Sequence, residues 1–297
     1  MTMELTQEKE VSTRVEGYWY LVVKRLKKHK LAVFSMFVLI AVILLCVVGP
    51  YFTRYTMNEM GNATTDVLKA PSLKHWFGTD ELGRDVFTRV LLGGRVSLLV
   101  GFASVFSALF VGIIVGAYAG YYGGILDTVL MRFTDIMFSI PVLPLLVVLS
   151  SVIPGAGIWK IIMVIALFGW MTDARIIRGM FLSLRESEYN EAARAIGVSS
   201  TRIIWRHLLP NTLAPIIVSA TLGVGGNIIY EAALSYLGFG VMPPDPSWGN
   251  ILQNAQYAMA IAPWLVWTPG LAILITVIAF NFLGDGLRDA MDPKLYR

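Results

Sequence analysis

Residues 96–119 read VSLLVGFASVFSALFVGIIVGAYA, a run without one charged side chain. As an α-helix rising 1.5 Å per residue it extends about 36 Å. That exceeds the roughly 30 Å hydrocarbon core of a bilayer, so the run reads as a membrane span.

Similar runs recur on both sides. Residues 31–48 are apolar and stop at Gly49-Pro50. Residues 136–153 carry Pro141 and Pro144, with Asp127, Arg132 and Asp135 at the entrance, where Arg132 and Asp135 can pair with each other. Residues 158–172 form a shorter span that runs into Asp173 and Arg175. Residues 208–230, with Pro210 and Pro215, and residues 261–284 complete a set of six. The expectation is an all-α polytopic membrane protein of about six transmembrane helices, with both termini on one side. Composition agrees, since only 15% of the 297 residues are charged, against about 25% in a soluble domain.

Charge sets the orientation. Lys24, Arg25, Lys27, Lys28 and Lys30 directly precede the first span, and Arg178, Arg185, Arg194, Arg202 and Arg206 follow the fourth. Arg288, Lys294 and Arg297 follow the last. Basic residues stay on the cytoplasmic side, so both termini are expected there. The first outer loop runs against this bias with Arg54, Lys69, Lys74, Arg84, Arg89 and Arg95. The cluster ahead of the first span is expected to dominate. Within a membrane protein the net charge of +4 has this origin, and no basic-aromatic module points to nucleic acid. Cys46 is the single cysteine and sits in an apolar run, which excludes an internal disulfide and a cysteine metal cluster.

Two features bear on packing. Gly112, Gly116 and Gly120 recur every fourth residue and form a small-residue ridge that admits a close helix neighbour. Prolines in the third and fifth spans free backbone carbonyls, tolerable where they are buried in protein or face a wet cavity. Ahead of the second span, Thr79 can cap a surface helix with Leu82, Val86, Phe87, Val90 and Leu91 on one face. Asp85 and Arg89 would pair on another side, and this helix would bend into the span.

The long loop after the fourth span contains Glu191-Ala-Ala-Arg-Ala-Ile-Gly197, then Leu209-Pro210. Ser187 can cap a helix over 188–196, and Gly197 suits the left-handed residue that ends one. Ser199 or Ser200 opens a second helix, giving an elbow. Ala192, Ala193 and Ala195 leave one face smooth enough for a partner's groove, while Glu191 and Arg194 can orient it by charge.

The pattern Glu191-Ala192-Ala193, Gly197 and Leu209-Pro210 resembles the loop motif of permease subunits of ATP-binding-cassette importers. That family usually has isoleucine where this chain has His207; His207-Leu-Leu-Pro-Asn211 is similar to the dipeptide/oligopeptide/nickel branch. Phe77-Gly-Thr-Asp-Glu-Leu-Gly-Arg-Asp85, Leu237-Gly-Phe-Gly240 with Trp248-Gly249, and Gly284-Asp-Gly-Leu-Arg-Asp289 with Asp292-Pro293 resemble the same branch. The likeness extends from about Gly17 to the end and is strongest to the second, C-type subunit of peptide importers.

The resemblance implies a type I importer permease core over about 94–286, preceded by an N-terminal module over 17–70. It implies a bacterial or archaeal plasma-membrane location. Glu191, Ala192, Ala193 and Gly197 would dock on an ATPase subunit, with Leu209 and Pro210 linking them to the fifth span. Implied partners are a second, similar permease subunit, two ATP-binding subunits, an extracytoplasmic substrate-binding protein and a peptide cargo. Nickel chelates and glutathione are the alternative cargoes.

No G-x-x-x-x-G-K-[ST] loop is present, so ATP would be hydrolysed by those partners. His29, His75 and His207 are dispersed and no hydrolase or zinc-protease motif appears, so neither an enzyme nor a cofactor is expected. An ATPase-independent transporter would need intramembrane charges. Glu231 is the candidate for such a site, as a pore or gate residue or as an interhelical hydrogen-bonding group.

Overall fold

The computed structural model describes residues 17–292, apart from 58, 63, 64 and 156. Pro293 of the C-terminal motif, and Lys294 and Arg297 of the basic tail, lie outside the described residues. Helices account for the described architecture. Four are long and apolar enough to cross a membrane, and a bent pair counts as a fifth where it is taken as one span.

Helix α1 (Tyr18–Leu26) precedes α2 (Lys30–Val48), which His29 caps by accepting from the Ala32 amide at 3.2 Å. At the far end of α2, Arg95 donates to the carbonyls of Cys46 and Val47 at 2.8 and 2.6 Å. A guanidinium suits these last carbonyls, which have no helical partner. A 3₁₀ turn (Gly49–Tyr51) then leads into a folded outer segment. There Thr79 is buried, accepting from Lys69 N at 2.8 Å and donating to Asp66 O at 2.6 Å.

Helix α3 (Val86–Tyr122) is one continuous helix of 37 residues, about 55 Å long. The separate surface helix expected from Thr79 therefore does not form. Asp85 is the N-cap instead, accepting from Thr88 N at 2.9 Å. Nor does Asp85 pair with Arg89: it meets His75 Nδ1 at 2.9 Å, while Arg89 faces Asp80 at 3.6 Å. The Gly93-Gly94 pair stays helical because neighbours press onto it. A methyl on Gly94 would meet Trp248 at 2.8 Å, and one on Gly93 would meet the Ser247 backbone at 3.1 Å.

The third span differs from expectation. It is a broken pair, α4 (Gly124–Phe138) and α5 (Val142–Val152), bent by 87°. Pro141 sits at the break, where its ring and missing N–H oppose continuation. Asp127 and Asp135 thus lie inside α4, and Asp135 pairs with Arg175 at 2.6 Å rather than with Arg132. Helix α6 (Ile158–Arg185) runs well past residue 172. Its polar groups are met by neighbours: Arg175 by Asp135, Arg178 by Asp127, and Asp173 by Ser219 at 2.5 Å.

The loop holds α7 (Glu188–Ala195), α8 (Ser200–Arg202), a π-helical turn (Ile203–Leu208) and α9 (Leu209–Asn211). Helix α10 (Leu213–Tyr236) starts later than expected, so Pro210 and Pro215 lie in first turns where no helical N–H is needed. Helix α11 (Trp248–Ala255) tucks back into the bundle behind a Ser247–Asn250 capping box, and α12 (Trp264–Met291) closes the chain.

Val22 of α1 packs with Ala290 and Met291 of α12 and the start of α10. The two ends of the described chain therefore lie together. Trp264 Nε1 reaches Thr79 O at 3.5 Å, so the starts of α3 and α12 share the opposite end. The basic loop belongs to the first of these ends: Arg194 lies 5.1 Å over the ring of Tyr121, near the end of α3.

Candidate functional site

The elbow at the basic end is built from its seat outward. Helix α7 buries only Asn190 and Ala193. The Asn190 amide donates to Leu184 O at 2.6 Å and to Ser187 Oγ at 3.0 Å, fastening α7 to the last turn of α6. Ser187 occupies the N-cap position but caps nothing through its hydroxyl, which donates back to Leu184 O at 2.5 Å.

The far end of α7 closes through Gly197 at φ +81°. Its N–H meets Arg194 O at 2.9 Å, and Val198 N–H meets Ala193 O at 3.0 Å. These two bonds define a Schellman closure, in which a glycine takes the left-handed conformation without a Cβ penalty. Beneath the elbow Ile203, Ile204 and Leu208 are almost wholly buried, in the same core as Ile177, Phe181 and Tyr121. What happens at α7 is thus mechanically tied to α3 and α6.

The outer surface of the elbow carries Glu188, Tyr189, Glu191, Ala192, Ala195 and Ile196, all exposed, with Ile196 81% exposed. Of the smooth face expected from the sequence, Ala192 and Ala195 are free and Ala193 is beneath. Leu209 is half-buried and Pro210 exposed, both between the π turn and α10.

The glycine ridge meets α6. Methyl groups at Gly112, Gly116 and Gly120 would strike Trp170 O at 2.9 Å, Ala174 O at 2.5 Å and Arg178 O at 2.7 Å. Backbone-to-backbone approach of this kind needs the absent side chains.

Glu231 is fully buried and closed off from the cavity of the bundle. Its two oxygens accept from Ser97 and Ser235, each at 2.7 Å, and the Ser97 hydroxyl also accepts from Trp248 N at 3.2 Å. The carboxylate therefore fastens α3, α10 and the entry to α11 together.

The cavity itself has a volume of about 290 Å³ and lies between α3, the end of α4, α5, α6 and α10. Its walls include Phe138, Leu146, Ile165 and Phe168, and its polar groups are Thr172, Asp173, Ser219, Asn227 and Tyr230. Ser219, Gly223, Gly226, Asn227 and Tyr230 recur at helical spacing, so one face of α10 lines it. The sequence names Asp173 only as the end of a short span; its pairing with this face becomes visible once α6 is seen to continue.

A bundle of spanning helices around a partly polar cavity, with a rooted elbow at its basic end, defines a polytopic helical membrane protein of the solute-transport class. The chain belongs to the family of binding-protein-dependent transport system inner membrane components, which matches residues 112–297. Residues 17–71 match the N-terminal transmembrane domain of oligopeptide transport permease C.

Relatives agree across almost the whole chain. The dipeptide transport system permease protein DppC of Alkalihalophilus pseudofirmus is 42% identical over 93% of this chain and 90% of its own length. The glutathione transport system permease protein GsiD of Salmonella paratyphi A is 41% identical over 99% of this chain and 95% of its own. Among solved structures, a chain of the inward-facing MetNI methionine ABC transporter superposes with a TM-score of 0.56, covering 69% of this chain and 96% of that one. Its 24% identity makes this a likeness of fold.

Proposed function

We propose that this chain is the second permease subunit of an ATP-driven importer of di- or oligopeptides in a bacterial or archaeal plasma membrane. It pairs with a similar permease subunit, two ATP-binding subunits and an extracytoplasmic substrate-binding protein. The observation that carries this reading is the elbow, which presents exposed Glu191, Ala192 and Ile196 on the outside while its base is sunk in the core. An exposed apolar rim flanked by charge fits a partner's cleft.

In this reading Glu191 and Ala192 touch the ATPase, Ala193 seats the helix, and Gly197 fixes its end. Leu209 and Pro210 pass its movement to α10. Closure of the ATPases favours one arrangement of the two permease subunits over the other, since a partner indifferent to both would shift nothing. The glycine ridge then moves α3 and α6 as one body. Glutathione is a second cargo reading, favoured by the name of the Salmonella relative.

The test is reconstitution of the full complex in vesicles. Glu191→Ala is expected to leave the subunits assembled and ATP hydrolysis running while dipeptide uptake falls. Uptake by the chain alone, or uptake stopped by collapse of a proton gradient and not by ATP depletion, overturns the proposal.

A further inference from the structure

Other acidic groups along the bundle have partners within the chain. Asp127 pairs with Arg178, Asp135 with Arg175, and Glu231 accepts from two serines. Asp173 stands apart. It is 9% exposed, lines the cavity, and is held through one oxygen by the neutral Ser219 hydroxyl at 2.5 Å. Among the described residues no cation forms an ion pair with it. Burying a carboxylate without a counter-charge costs several kcal/mol. Glu231, equally without a cation, is met by two hydroxyls and does not line the cavity. Asp173 has one hydroxyl and faces the cavity, where a solute can supply the charge.

The surroundings show what would complete it. Directly along α10 from Ser219, Gly223 and Gly226 leave the wall without side chains, and a methyl on Gly226 would meet nothing within 4 Å. Asn227 and Tyr230 supply hydrogen-bonding groups two to three turns further on. A solute with its cationic end at Asp173 would extend along this face towards Asn227 and Tyr230. Among the described residues no cluster of three or more metal-ligating side chains exists. A lone carboxylate suits an ammonium better than a bare divalent ion, which takes several oxygen ligands.

We propose that Asp173 is the group in the transport cavity that receives the free amino group of the cargo, with Ser219 holding the carboxylate in place. This rests on the peptide-importer reading above. An α-amino group has a pKa near 8 and is largely charged at neutral pH. Its bond to the carboxylate would be charge-assisted, yet a single such contact is weak enough to let the solute leave.

The experiment uses the complete transporter in vesicles, loaded with its binding protein, and reads uptake of dialanine. Asp173→Asn keeps the shape and can still accept from Ser219 but carries no charge; Asp173→Glu keeps the charge. We expect uptake to fall about tenfold or more in Asp173→Asn, the scale of one lost charge-assisted hydrogen bond. Asp173→Glu should stay within a few-fold of the unmodified complex, and both should assemble and hydrolyse ATP. The reverse pattern, Asn active and Glu inactive, assigns Asp173 to packing and overturns the proposal. So does loss of assembly in both variants. If the unmodified complex imports dialanine and Asp173→Asn matches it, this inference alone fails. If the unmodified complex imports no dipeptide, the cargo reading falls first and this inference with it.

Discussion

The hydroxyl of Ser97 on α3 donates to the carboxylate of Glu231 on α10 at 2.7 Å, and the same oxygen accepts from Trp248 N at 3.2 Å. One buried acid thereby joins two spans and the segment that re-enters beside them. Glu231→Ala would strand two serine hydroxyls, Ser97 and Ser235, in a site that water does not reach. An unsatisfied buried polar group costs about 1–3 kcal/mol, so the purified protein should melt at a distinctly lower temperature in detergent. Glu231→Gln keeps the volume and should lose less. An unchanged melting temperature for the alanine variant would show that this junction is not structural.

The glycines separate packing from cavity. Gly116 approaches the Ala174 carbonyl so closely that a methyl group would lie 2.5 Å from it, whereas a methyl group on Gly226 meets nothing within 4 Å. Gly116→Ala forces α3 and α6 apart, and overpacking of this kind costs about 1–3 kcal/mol. Gly226→Ala should hold or slightly raise stability, because a mid-helix glycine is less favourable than alanine by about 0.5–1 kcal/mol. Thermal unfolding of the two variants side by side checks the contrast. If Gly116→Ala is as stable as Gly226→Ala, the ridge is not a close contact.

Why some of this was legible from the sequence follows from what periodicity encodes. The apolar runs located α2, α3 and α12 because burial in lipid demands the same residue type all round a helix. The four-residue glycine spacing disclosed the ridge, though not that α6 was its partner. Charge misleads at α6: Asp173 and Arg175 look like the end of a span, but the helix continues, with Ser219 bonding one oxygen of Asp173 and Asp135 pairing with Arg175 from other helices. The α4–α5 break was equally hidden, since Pro141 and Pro144 announced a disturbance without its angle. Asp85 was invisible as a cap because its second partner, His75, approaches from the folded outer segment. Tertiary pairing, absent from a linear pattern, decided each of these.

In that outer segment Asp66 offers a titration outside the spans. Its carboxyl is held down to about 2, chiefly by the hydrogen bond from Lys69 Nζ at 2.8 Å and then by the Asn62 amide at 3.0 Å. A carboxyl depressed on folding stabilises the fold above the ordinary value near 4, and that contribution is lost as pH falls towards about 2. Lys69→Met should therefore raise the Asp66 pKa, though not fully, because the amide bond remains. Carbon-detected NMR titration of the side-chain carboxyl reads this directly. A pKa that does not move would mean that Lys69 makes no such bond in solution.

The end of α7 rests on a single left-handed residue. Gly197 has φ +81°, and a methyl group placed there meets nothing within 4 Å, so any effect of substitution comes from the backbone conformation itself. For a residue with a Cβ that conformation costs about 1–2 kcal/mol, less for asparagine and more for a β-branched side chain. Gly197→Val should open the closure to Arg194 O and Ala193 O and fray the last turn of α7. Hydrogen–deuterium exchange at Ile196 through Val198 would then quicken, and peptide uptake by the assembled transporter would fall with it. Gly197→Asn should retain most of both. Faster exchange in Gly197→Val with full uptake would mean that the tip of the elbow can loosen without disturbing transport, which leaves the docking role to be carried by Glu191 and Ala192 alone.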